Sequence, residues 1–198
     1  MKKLTSIPII AAISFFWLIE TGNGSSNKNS PIALSLPTLA YAIETNNSLV
    51  LDRTCVNATA GYQIDYPQGW QTNSGEVVNR CRVFDPRSAQ VPEYTESTGK
   101  AIYLRVENNV SFEAIAKEDI SERHLSNKAS KIQNKRAVVI ESESTGKALL
   151  RKGVRKYSYI VDLGDKTLIA TTHDIPGSNY QQNKQILDQM MATIKFNR

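Results

Sequence analysis

Apolar and polar residues change their spacing several times along this chain, and each change marks an element. In GYQIDYPQGW, residues 61–70, Tyr62, Ile64 and Tyr66 alternate with Gln63 and Asp65, the period-two pattern of a half-buried strand. Pro67 ends that strand, because proline lacks the N–H a ladder needs. RCRVFDP reads as a second short strand, again closed by proline. KAIYLRVEN is a third, with Ile102, Leu104 and Val106 on one face and Tyr103 and Arg105 on the other. The stretch SFEAIAKEDISERHL shifts to helical spacing: Phe112, Ile115, Ala116 and Ile120 share a stripe, and Ser111 is placed to cap it. Strand signals return in KRAVVIESES and in VRKYSYIVDLGDKTLIATTHDI, which reads as a hairpin turning over residues 163–166 around Gly164. A helix closes the chain. Ser178 and Gln181 have capping-box spacing, and Ile186, Leu187, Met190, Met191 and Ile194 form the apolar stripe. Three strands, a helix, three strands and a helix predict an α+β fold, an antiparallel sheet packed by helices.

The first residues follow a different pattern. Lys2 and Lys3 precede a mostly apolar run over residues 4–19, the layout of a secretory signal. That run falls short of the roughly 20 apolar residues of a membrane span. Ala40-Tyr41-Ala42 fits the small-x-small rule for cleavage, so residues 1–42 read as signal peptide with polar leader. An uncleaved anchor with residues 21–42 as tether is the alternative. Residues 43–60 form an amino-terminal extension and residues 61–198 one domain. Losing Lys2, Lys3, Lys28 and Glu20 with the leader lowers the formal net charge from +5 to +3. That balance is too mild to imply nucleic acid.

Chemistry-bearing residues are sparse. The two cysteines, Cys55 and Cys81, read as a disulfide in an oxidising compartment, with a reactive thiol beside a histidine base as the rival. His124 and His173 are the only histidines, and His173-Asp174, Asp162 and Asp165 lack the spacing of a metal site. They read as surface residues at a strand end. Neither a Gly-x-Ser-x-Gly elbow nor a glycine-rich phosphate loop occurs, so the expectation is no enzyme and no cofactor. The basic segment KALLRKGVRKYSY carries Lys147, Arg151, Lys152, Arg155 and Lys156, and KIQNKR adds Lys131, Lys135 and Arg136 from what would be a neighbouring strand. These cations form either a docking patch or a guard on an edge strand. Tyr157 and Tyr159 interleave too weakly for single-stranded nucleic acid.

A strand ending YPQGW, then one ending VFDP, resembles the PsbP-like proteins. So does the close YSYIVDLGDKTLIATTHDI…NKQILDQMMATIKF, and the likeness runs over about residues 61–196. The best-known member of that family is an extrinsic subunit on the lumenal side of photosystem II. The resemblance implies an antiparallel sheet sandwiched by helices, an α/β/α sandwich, in an exported protein. It carries over no binding residues. Pro67, Gly69 and Trp70 read as structural: a strand end, a corner and a cover for the core. The expectation is a non-catalytic accessory domain in the periplasm, thylakoid lumen or extracellular space. It docks onto a protein or membrane-associated assembly, with Arg151, Lys152, Arg155 and Lys156 as the candidate patch. A small-ligand or metal-ion carrier is the alternative, and a cryptic hydrolase a more distant one.

Overall fold

A computed structural model describes residues 49–87 and 99–197. The signal, its cleavage site at Ala42 and the leader lie outside the described residues. Ten strands and two helices follow in order: β1 (Leu51–Asn57), β2 (Tyr62–Pro67), β3 (Gln71–Thr72), β4 (Val83–Asp85), β5 (Ile102–Asn108), α1 (Phe112–Ala116), β6 (Glu122–Ile132), β7 (Lys135–Ser144), β8 (Arg155–Asp162), β9 (Lys166–His173), α2 (Tyr180–Thr193) and β10 (Lys195–Phe196). They form a three-stranded sheet, β1-β2-β10, and a seven-stranded one, β3-β4-β5-β9-β8-β7-β6. Every pairing is antiparallel. The α+β class expected from the pattern is the class observed.

The main core lies between α2 and the two sheets. Ile186, Leu187, Met190, Met191 and Ile194 of the predicted stripe are all buried, and they cluster with Tyr62 and Ile64 of β2 and Leu168 and Ala170 of β9. The YPQGW corner seals one end. Gly69 adopts φ +83°, which a residue with a Cβ rarely does, and Trp70 is buried in the same cluster. Cys55 and Cys81 also belong to that cluster, and their sulfurs lie 2.11 Å apart with Cα atoms at 5.7 Å.

Period-two alternation divides each long strand between two faces. Leu168 and Ala170 point to α2, whereas Thr167, Ile169, Thr171 and His173 take the opposite face. There the short α1 covers part of the sheet, packing Phe112, Ile115 and Ala116 on Val138, Ile140 and Ile160. Arg136 fastens it by donating to Glu113 at 2.6 Å and to Asp162 at 2.7 Å, with its guanidinium over Phe112.

Three readings need correction. The helix drawn over SFEAIAKEDISERHL stops at Ala116; Ser111 does cap it, accepting from the Ala114 N–H at 3.2 Å. Ile120, which completed the stripe, is 71% exposed, and residues from Glu122 onward pair with β7 instead. Second, the cap of α2 is Asn179, which accepts from Gln182 N–H; Ser178 instead braces the preceding turn. Third, β1 lies in the stretch read as an extension, yet it is the edge strand of the small sheet.

Candidate functional site

The connection between β7 and β8, residues 145–154, is tied at its base by one buried serine. Ser144 N–H donates to Val154 O at 2.8 Å, and Ser144 O accepts from Gly153 N–H at 2.9 Å. The hydroxyl donates to Leu150 O at 3.0 Å and accepts from Gly146 N–H at 3.1 Å. Gly146 sits at φ +80°, and a Cβ there would lie 3.1 Å from the Cβ of Lys152, so the two arms of the loop close only on glycine. Thr145 adds bonds from its N–H to Ser121 O and from its hydroxyl to Ile120 O. The base is fixed and the tip projects. Lys147, Ala148, Arg151 and Lys152 are exposed, and Leu149 is 90% exposed.

Behind the loop, on the sheet face away from α2, lies a recess of about 280 Å³. Leu149, Leu150, Tyr103 and Ile169 give it an apolar wall; Arg105, Glu122, Lys156 and His173 supply the charge-bearing groups. A second hollow of about 250 Å³ adjoins it toward α1 and shares Arg105, Glu122, Lys156, Ser158 and Ile169.

Most polar groups here are already matched. Lys156 pairs with Glu122 Oε1, and Ser142 donates to Glu122 Oε2 at 2.9 Å. Thr171 donates to Tyr157 O at 3.1 Å, and its oxygen meets Ser158 Oγ at 2.7 Å. His173 differs. It is 5% exposed, and its Nδ1 has no hydrogen-bond partner among the described residues. Burial, then the charge of Lys156, pushes its pKa down to about 4, so the ring is neutral at ordinary pH. This corrects the reading of His173 as a surface residue.

The candidate cations do not form one patch. Arg151 and Lys152 sit on the loop, and Lys156 turns inward to Glu122. Arg155, one residue earlier on β8, takes the α2 face, where its charge acts on Glu141 and Tyr180. Arg136, Lys135 and Lys131 lie at the far end of β6 and β7, because β7 pairs its last residues, not its first, with the start of β8. His124 lines the hollow beside α1. Among the described residues no three His, Cys, Asp or Glu side chains gather as metal ligands, and no helix is long and apolar enough to cross a membrane.

No family profile and no curated protein matches the chain. The structure is similar to the solution structure of cyanobacterial PsbP (CyanoP) from Synechocystis sp. PCC 6803. Identity is 11%, over 73% of this chain and 91% of that one, with a TM-score of 0.44. A crystal structure from Bacteroides thetaiotaomicron VPI-5482 is similar at 12% identity over 75% of this chain, with a TM-score of 0.42; the match spans 50% of that chain. Likeness at this level assigns no family, so function is argued from the chain's own residues.

Proposed function

We propose that the protein is an exported, non-catalytic accessory domain that docks on an anionic membrane surface through the loop at residues 145–154. The observation behind this reading is Leu149, 90% exposed at a tip whose base is fixed by Ser144. Lys147, Arg151 and Lys152 flank it, and no acidic residue occurs between Thr145 and Arg155. Each Lys or Arg close to an anionic bilayer contributes about 1 kcal/mol of attraction. Burying one leucine adds about 1.5–3 kcal/mol. Those terms together give reversible attachment rather than permanent anchoring. A tip already held in shape loses little conformational entropy on binding.

The test is co-sedimentation with vesicles of phosphatidylglycerol and phosphatidylcholine, beside phosphatidylcholine alone. The expected result is binding to the anionic vesicles, release at high salt, and weaker binding of Leu149→Ser and of the double variant Arg151→Gln/Lys152→Gln. Equal binding to both vesicle types, or variants that bind like the parent, would count against the loop. A chain that ignores lipid and instead holds a stoichiometric partner in an envelope extract would move the docking surface to a protein.

A further inference from the structure

The recess behind the loop has a use that surface docking leaves unexplained. We infer that it is a binding site for a small carboxylate with an apolar body, the carboxylate lying between His173 and Arg105 and the body against Leu150 and Ile169.

The argument turns on which polar groups are already engaged. Both oxygens of Glu122 are occupied, one by Lys156 and one by the Ser142 hydroxyl. The acid is therefore neutralised and offers a ligand little. The Thr171 proton goes to Tyr157 O, which leaves the Ser158 hydroxyl to donate to Thr171. Ser144 is engaged with both arms of the loop. After these pairings the site's remaining capacity lies in nitrogen donors. Arg105 places its Nε 3.2 Å from Glu107, an exposed contact of the kind that contributes little. Its planar fork suits a two-oxygen acceptor. Lys156 has three N–H donors, of which Glu122 takes one.

His173 supplies the second, independent observation. A buried ring nitrogen without a partner is costly, and an occupant that bonds it recovers that cost. The ring lines the recess rather than the core under α2. On the same sheet face Ile169 and Tyr103, with Leu150 from the loop, give an apolar lining that a purely inorganic anion would leave wet. A volume of about 280 Å³ stands at the small end of ligand sites, which restricts the occupant to a compact molecule. A metal ion fits poorly, since Glu122, the one acid among the described residues that line this recess, is already paired.

Hexanoate is the probe, with 1-hexanol as its uncharged counterpart of equal chain length. Binding to the full mature chain is followed by NMR of the imidazole and by calorimetry. The groups facing His173 are Lys156 from β8, Glu122 from β6, and Arg105 and Tyr103 from β5. An anion added to that set favours the imidazolium. Hexanoate should therefore raise the titration midpoint of His173, and hexanol should leave it in place. Arg105→Gln, a substitution at an exposed strand position, should weaken hexanoate about tenfold, the size of one charge-assisted hydrogen bond, and leave hexanol unaffected. His173→Gln should weaken it as well; should that variant fail to fold, Arg105→Gln and the parent titration decide alone. Equal affinity for acid and alcohol, or hexanoate binding that leaves the His173 midpoint unmoved, would overturn the carboxylate class. No binding by either probe would overturn the site.

Discussion

At the scale of single residues, His173 holds the most consequence. The sequence places it at a strand end, where a histidine is ordinarily wet, but β9 has neighbours on both sides and is buried along almost its whole length. Its folded pKa of about 4 lies below the 6.5 of an unfolded chain. The unfolded state therefore takes up a proton first as the solution is acidified. The stabilisation is complete above pH 6.5 and is lost as the pH falls toward 4, amounting to roughly 3 kcal/mol. Denaturant unfolding of the parent and His173→Gln across that window should show a shallower decline for the variant. Superimposable declines would mean the ring is solvated. Leu149 and Leu187 form a second contrast. Leu187→Ala opens a hole under α2 and should cost about 2–5 kcal/mol, while Leu149→Ser, at an exposed position, should stay within about 0.5 kcal/mol of the parent. Thermal melts of the two variants side by side check both values.

Among the elements, those with one apolar and one polar face were legible in the sequence. The β8–β9 hairpin and α2 stand where the alternation and the stripe placed them, with only the cap shifted from Ser178 to Asn179. β6 and β1 were not legible for one shared reason. Each is an edge strand, and edge strands need not bury a face, so ERHLSNKASKI has no apolar alternation to show. The helical spacing before β6 was real but ended early, since α1 packs its half-buried Phe112, Ile115 and Ala116 on β7 and β8 within five residues. The loop at 145–154 was visible as a run of cations. Its division from Arg155 and Lys156 follows from pleat geometry, and the recess behind it follows from tertiary pairing between β5, β9 and β8, which no local pattern encodes. Ser144→Ala removes the hydroxyl that joins the loop's two arms. Amide exchange over residues 145–154 should quicken in that variant while α2 stays protected; unchanged exchange in the loop would refute its role.

For the whole molecule, the two faces of the large sheet are treated unequally. One is sealed by α2 and clasped to the small sheet by Cys55 and Cys81. The other carries α1, the loop and the recess between them. The disulfide spans a separation of 26 residues, for which closure of the unfolded chain predicts about 3 kcal/mol. Cys55→Ser/Cys81→Ser should lower the unfolding free energy by about that amount, and reductant should lower the parent's midpoint but not the variant's. Matching midpoints with and without reductant would show that the bond adds nothing.

The strand order imposes a schedule on the nascent chain. β5 borders β9, and β9 is made only after α1, β6, β7 and β8 have followed β5. While synthesis is under way, the first half of the protein holds an unmatched edge and an uncovered apolar surface, and α2 arrives later still. The main core is complete only once α2, the last helix of the described residues, has been added.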